Sequence, residues 1–418
     1  VRIRKPCNFT AKCSGTKTIE LIGDNDDYLK NFSSFKRRDD YFESGLVGVK
    51  MQNLSAFKKV EKVFCSPNTD NLFLVADGGA YVLYKGDAQF TKLKSNVASG
   101  SFFADMYLRG SAATVLFDGT NRVIVGGGTA TATDSQEFTD GIIHCGRFFA
   151  TVKDEGLKIV WSSSTPMEWD TGIDGSGCIY LPTDGGKVLR LFNYDEKLVA
   201  VRERGITVIN AYGEPQNYAV KATGSYLTAD GIIADTCAVC DGRLFFCTKS
   251  GIFAFDGDDI ERQENEFSGD ISAYQCAGAS GDSYFVVCDS EQFGDGVLFV
   301  YQAAEKEDYF VALHPQKVAC GDEIIAFCDD GIYKLESGAG FWQSRQVDFE
   351  SSGNKCLKRV AFDGDGEFEL TVTCDGIKKT LGLGSHKLGL FGRKFAFTVS
   401  GKGTIKSLSA TAEVRDEV

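Results

Sequence analysis

The chain has 418 residues, 43% hydrophobic and 25% charged, which suits one large globular domain or two to three ordinary ones. Its charge is uneven: residues 1–60 carry 12 Lys and Arg against 7 Asp and Glu, residues 341–418 carry 12 against 10, and residues 61–340 carry 21 against 41. A central body at −20 lacks the basic track needed to wrap nucleic acid, and no stretch approaches the ~20 continuous apolar residues of a membrane helix.

The opening Val1-Arg2-Ile3-Arg4-Lys5 has basic residues with no apolar run behind them, so no secretory signal is expected. The 14 cysteines are then expected as reduced core thiols, above all Cys240, Cys247, Cys288, Cys328 and Cys374, which stand in strand-like runs. Residues 1–54 read as a docking arm. Arg2, Arg4, Lys5, Lys36, Arg37 and Arg38 are its candidate partner contacts, because a basic cluster on an acidic protein seeks an anionic neighbour. The competing reading is that this segment closes the structure that follows or packs across it.

From about residue 55 to 345 the chain repeats a unit of strand, tight turn and a second strand often opened by Gly-hydrophobic. Clear copies are Asp241–Asp256, Asp322–Leu335, Asp195–Ile209 and Asn71–Leu83. The anchors Leu72, Val115, Phe148, Leu198, Leu244, Tyr284 and Ile324 recur roughly every 40 to 50 residues. With 47 glycines and 32 phenylalanines, this is a chain of hairpins. A four-stranded blade cannot bury both its faces alone, so blades must stack in a ring. The fold class is therefore all-β, a β-propeller of six or seven blades, followed at 346–418 by a small antiparallel, sandwich-like β domain. In that domain 358–362, 367–374, 377–381, 394–399 and 407–414 read as successive strands, and Asp375-Gly376 is a hairpin turn signal.

No residue set carries recognisable catalysis. His144, His314 and His386 are the only histidines, and none lies in the sequence context of a Ser-His-Asp device. Cys237-Ala-Val-Cys240 has zinc or redox spacing without a second pair or a thioredoxin-like context. Asp363-Gly-Asp-Gly-Glu367 and Asp256-Gly-Asp-Asp259 resemble fragments of calcium loops, but Asp-Gly turns are expected between strands. Gly126–Gly128 and Gly382–Gly384 lack the strand–loop–helix setting of a phosphate cradle. No catalytic, metal or cofactor residues are assigned, and no cofactor is expected.

Gly146-Arg-Phe-Phe-Ala-Thr-Val, Ile159-Val-Trp-Ser-Ser-Ser-Thr-Pro-Met-Glu-Trp169 and Leu198-Val-Ala-Val-Arg-Glu-Arg-Gly-Ile-Thr-Val-Ile209 follow one another in an order that resembles tailed-bacteriophage virion structural proteins. Those are the tail hubs and nozzles also called packaged-DNA stabilisation proteins. Arg2–Pro6, Lys30–Arg38, Lys358-Arg-Val, Val372–Gly376 and Leu390–Val399 are similar to how such chains begin and end. The resemblance implies a homo-oligomeric ring in the virion, assembled in the bacterial cytoplasm. Its partners would be portal, adaptor and tail proteins, and double-stranded DNA would pass without sequence-specific binding. Two rivals remain. One is a ligand- or receptor-binding propeller, with Trp161, Trp169 or Trp342 around a glycan groove. The other is a propeller glycosidase with carboxylates at one mouth of the ring. For the latter, Ser162–Trp169 keeps only the ends of the blade-turn motif Ser-x-Asp-x-Gly-x-x-Trp.

Overall fold

The structure, a computed structural model, describes residues 13–22, 29–38, 41–134, 136–169, 175–194, 196–265 and 267–415. The chain divides into two compact units, one of 48–308 and 313–335, the other of 1–47, 309–312 and 336–418. None of its described helices is long and apolar enough to cross a membrane.

The first unit carries a seven-bladed β-propeller. Blade 1 runs Val60–Cys65, Leu72–Ala76, Gly79–Leu83 and Thr91–Ser95, and blades 2 to 6 occupy 102–133, 138–180, 188–227, 232–262 and 271–311. Blade 7 has three strands of its own, Pro315–Cys320, Ile324–Cys328 and Gly331–Ser337. Its fourth is Leu46–Lys50, taken from ahead of blade 1. The C-terminal side of that presumed arm is therefore the closing strand of the ring. Closure by an N-terminal strand ties the two ends of a circular array together, leaving the last blade no open edge at that position.

All seven sequence anchors fall on the second strand of their blades. Their spacing varies from 33 residues (Val115 to Phe148) to 50 (Phe148 to Leu198), as strand and loop lengths differ from blade to blade. Second strands such as Leu72–Ala76 and Arg147–Val152 are buried at every position. A strand covered by a neighbouring blade on each face loses the alternation of a half-exposed one. The core is accordingly a series of layers between blades. Phe73, Val82, Leu116 and Val123 join blades 1 and 2, Phe102, Phe117, Phe138 and Phe148 join 2 and 3, Phe149, Trp161, Leu191 and Leu198 join 3 and 4, and Val199, Val208, Leu244 and Phe246 join 4 and 5. Tyr284 of blade 6 donates to the Thr236 carbonyl of blade 5 at 2.5 Å, the Cys276 thiol reaches the Gln316 carbonyl of blade 7 at 3.5 Å, and Leu72 and Leu74 pack with Ile325 and Phe327 to close the circle.

One of the Gly-hydrophobic openings has a steric cause in the backbone. At Gly205 the backbone sits at φ +148°, and a Cβ there would lie 2.2 Å from the Tyr226 carbonyl oxygen of the adjacent strand.

In the second unit the strands expected separately at 358–362 and 367–374 are one 21-residue strand, Asn354–Cys374. Those at 394–399 and 407–414 are one 20-residue strand, Ala396–Arg415. The two pair antiparallel from Asn354↔Arg415 to Thr373↔Ala396. Asp363-Gly-Asp-Gly-Glu367 is thus neither a loop nor a turn but the middle of a ladder. Gly366 faces Gly403 across it, both at positive φ (+129° and +137°). The ladder shifts register between Asp363 and Gly364, and the glycines here allow the two long strands to bend at that irregularity. Asp375-Gly376 forms the hairpin turn expected of it, with φ +47° and +81°, the signs that a type I′ turn requires. Cys13–Ile22, Leu29–Ser33, Phe35–Arg38 and Tyr41–Ser44 complete this nine-stranded sheet with Gly340–Ser344, Ile377–Leu381 and Gly384–Gly392. Residues 13–44 of the presumed arm therefore share a sheet with the C-terminal strands. The compact units divide at 47/48 and 335/336, beside the 54/55 and 345/346 read from the sequence.

Of the presumed docking residues, Arg2, Arg4 and Lys5 lie outside the described residues, as do the side chains of Arg37 and Arg38. Lys36 is half-buried, in register with Glu43 on the neighbouring strand.

Candidate functional site

The propeller's axial cavity is walled by the first strands of blades 1, 4, 5, 6 and 7 and has a volume of about 270 Å³. It carries a set of charges that the repeat pattern conceals. Four first strands shift register by one residue just before a charged residue, between Val60 and Lys62, Phe138 and Asp140, Val188 and Arg190, and Pro315 and Lys317. Each charged residue then stands opposite the residue three past its blade's anchor, namely Val75, Thr151, Val201 and Phe327. A bulge re-aims a side chain while keeping the strand in its sheet, and here it turns long polar side chains towards the axis.

Asp235 of blade 5 holds two of these cations, Lys62 Nζ at 2.5 Å on one oxygen and Lys317 Nζ at 2.9 Å on the other. Burial alone would raise this carboxyl, but the two ammonium groups override it and hold it down at about 2. Asp140 accepts the Leu191 N–H at 2.6 Å and lies 3.4 Å from Arg190 Nε. Burial pushes its carboxyl up in spite of both. Asp235 has both oxygens bound by ammonium groups and Asp140 is buried, so the pair forms struts between blades rather than an open carboxylate dyad.

A depressed carboxyl stabilises the fold above its unfolded pKa of about 3.9 and ceases to do so as pH falls through its folded value. For Asp235, whose side chain is 32% exposed, solvent screening limits the contribution to about 1–2 kcal/mol. That stability is expected in full above about pH 4 and to disappear towards pH 2. Asp235→Asn is expected to flatten this part of the acid-unfolding curve, and an unchanged curve would remove the ion triad from the account.

The other sequence candidates are structural. Cys237 and Cys240 are both buried in the strand Ile232–Cys240. Burial pushes each thiol up to about 12, so neither has the low pKa of a redox or zinc-binding cysteine. The other four thiols expected in strands, Cys247, Cys288, Cys328 and Cys374, are buried as well. Asp256 Oδ1 accepts the N–H groups of both Asp258 and Asp259, each at 2.9 Å, a local turn of the kind Asp forms by itself. No group of three metal-binding side chains stands together among the described residues. His314 and His386 each bond a nearby carbonyl, of Asp295 and Gly382. His144 is buried in blade 3 and bonds Asn193.

The motifs that carried the resemblance are corners of blades 3 and 4. Arg147 Nη1 donates to the Ser162 carbonyl at 3.0 Å, and Ser162 Oγ accepts the Phe148 N–H at 3.0 Å. The Gly-Arg-Phe-Phe and Trp-Ser-Ser-Ser segments thereby bind each other, and Trp169 closes the turn by stacking on Phe138 at 5.6 Å. Arg202, only 1% exposed, gives hydrogen bonds to the carbonyls of Pro182 and Gly186, to Asp184 and to Thr207. Trp161 and Trp342 are buried and Trp169 is half-buried, so these tryptophans do not rim a glycan groove.

No family model matches the chain, and no curated protein does. Solved structures match over most of their own length. "YCF48 bound to D1 peptide" aligns at 12% identity and a TM-score of 0.46, covering 69% of this chain and 94% of that one. BamB from Moraxella catarrhalis aligns at 8% and 0.40, covering 71% and 99%. A chain of the Mitotic Checkpoint Complex aligns at 10% and 0.43, covering 69% and 93%. These are likenesses of fold and carry nothing on ligand or partner.

Proposed function

We propose that this chain is a virion structural protein of a tailed phage, a subunit of the tail hub, nozzle or head-to-tail connector ring that retains and conducts the genome. The observation that carries the reading is that the resembling segments serve as scaffold: Arg147 with Ser162 and Arg202 with Pro182 and Gly186 lock blade corners. The −20 charge of residues 61–340 supports it further, since like charge keeps a moving duplex from adhering. The axial cavity, about 270 Å³, is too small to admit a DNA duplex. The conduit would therefore be a lumen enclosed by several subunits and not the hole of one propeller. Partners in this reading are copies of itself and the portal, adaptor and tail proteins, with assembly in the bacterial cytoplasm.

The test is the native mass by light scattering, alone and with candidate portal, adaptor and tail proteins. A closed ring or a stoichiometric co-assembly is expected. A monomer that joins none of them removes the reading. A ligand-binding propeller is the second reading, favoured by Tyr212 at 78% and Tyr107 and Tyr180 at 60% exposure. Hits on a glycan array that are lost on Tyr212→Ala would support it.

A further inference from the structure

Three of the four charged residues that follow a bulge are cations, Lys62 on blade 1, Arg190 on blade 4 and Lys317 on blade 7, and all three line the axial cavity. Their charges act on common neighbours: Arg190 and Lys62 both bear on Asp140, and Lys317 and Lys62 on the Cys276 thiol. Two carboxylates answer them. Asp235 is shared between the two ammonium groups, one on each oxygen, and Asp140 lies beside Arg190. Glu61, also on the wall, is paired with Lys59 at 2.9 Å. Three cations against Asp235 and Asp140 leave one positive charge in excess even with both carboxylates ionised, inside a stretch of chain, 61–340, that is −20 overall. The thiols on the wall do not offset it. Burial raises Cys65 and Cys237 to about 12 and Cys276 to about 11, and raises Cys320 well above its ordinary value.

The donors of these cations are mostly unspent. An ammonium has three N–H donors and a guanidinium five. Lys62 and Lys317 each give one hydrogen bond, to Asp235. Arg190 gives none to any described residue, and its buried Nε, 3.4 Å from an Asp140 oxygen, has the charge of that carboxylate beside it without the geometry of a hydrogen bond. The guanidinium lies over the Phe192 ring at 5.3 Å, a contact that steadies its plane and takes up none of its N–H groups. Enclosed donors without acceptors cost free energy, so donors kept in this way point to an acceptor from outside the chain.

The number of groups selects the anion. A carboxylate offers two oxygens, and Asp235 shows two ammonium groups already saturating one. Three cationic groups from three blades match an anion with more acceptors and more than one charge. A phosphate monoester has three strong acceptor oxygens and a charge of about −1.5 to −2 at neutral pH, and a guanidinium takes two such oxygens side by side. At about 270 Å³ the cavity falls below the roughly 300–1,000 Å³ of pockets for drug-sized ligands, so its occupant is small.

We propose that the axial cavity binds one phosphate group, with Arg190 as a bidentate clamp and Lys62 and Lys317 as its further contacts. The bound group ties blades 1, 4 and 7 together across the axis. It comes either as free inorganic phosphate or as the end of a small phosphate monoester.

The experiment is titration calorimetry of the whole protein at pH 7 with inorganic phosphate and, separately, with glycerol 3-phosphate, the ionic strength held constant with sodium chloride. One saturable site per chain is expected, with a Kd of about 1 mM or tighter. Binding of inorganic phosphate alone assigns the site to the free ion, and binding of glycerol 3-phosphate assigns it to a monoester. Arg190→Gln is expected to weaken binding at least about tenfold. Lys249→Gln, which removes an exposed cation of blade 5 outside the cavity wall, is expected to leave it unchanged. Absence of saturable binding of both probes to the unaltered protein overturns the proposal without needing any variant to fold. A folded Arg190→Gln that binds as the parent does overturns the axial site.

Discussion

Phe148→Ala is expected to destabilise the propeller by about 3–5 kcal/mol, the range for truncating a fully buried aromatic. Phe148 is completely buried and lies between blades 2 and 3. Its ring stacks on Phe117 at 5.1 Å with an interplanar angle of 3°, and meets the edge of Phe138 at 5.9 Å. Phe117 in turn stacks on Phe102 at 4.8 Å, so the cavity would open inside a continuous aromatic layer whose members are each held by the next. The side chains come from stiff strands of two different blades, which leaves little scope for collapse around the void. Urea unfolding would show the effect as a lowered midpoint with an unchanged slope. Phe148→Leu, which keeps most of the volume, is expected to lose about 1 kcal/mol. A loss below about 1 kcal/mol for the alanine variant would mean that this interface does not hold the ring together.

Gly403→Ala is expected to remove about 3 kcal/mol or more from the nine-stranded sheet, from steric overlap together with an unfavourable backbone conformation. The residue sits at φ +137°, and an added Cβ would lie 2.1 Å from the Asp365 carbonyl oxygen. Across the ladder Gly366 has the reciprocal problem, 2.3 Å from the Lys402 carbonyl at φ +129°. Neither contact can relax by rotating a side chain, because the opposing atoms are backbone oxygens within the ladder. Hydrogen exchange of peptides from 354–374 and 396–415 would report the loss as faster exchange through both long strands. Gly382→Ala, with open space around the new Cβ, is expected to stay within about 0.5 kcal/mol of the parent. Equal protection in Gly403→Ala and the parent would show that the bend does not require glycine.

The acid sensitivity of Asp235 rests on a pairing between blades, Asp235 with Lys62 and Lys317, so a loosened ring is expected to weaken it.

The repeating part of this protein was legible along the chain. Buried runs such as Leu198–Arg202, Asp-Gly pairs with the right turn geometry and an anchor on every second strand were legible because strand pairing and hairpin turns are local, and each blade restates them. Burial of Cys240, Cys247, Cys288, Cys328 and Cys374 was legible for the same reason. Tertiary structure decided whatever depends on a partner far along the chain. Leu46–Lys50 closes blade 7 because only that blade has an unfilled edge, and nothing in those five residues names it. Gly366, in an Asp-Gly run expected as a turn, instead faces Gly403 across a ladder of two long strands. Lys62, Asp140, Arg190 and Lys317 escape the alternating pattern because a bulge shifts each by one residue, and only the ring brings them to a common axis with Asp235. His144 and Asn193 likewise pair only once blades 3 and 4 pack side by side.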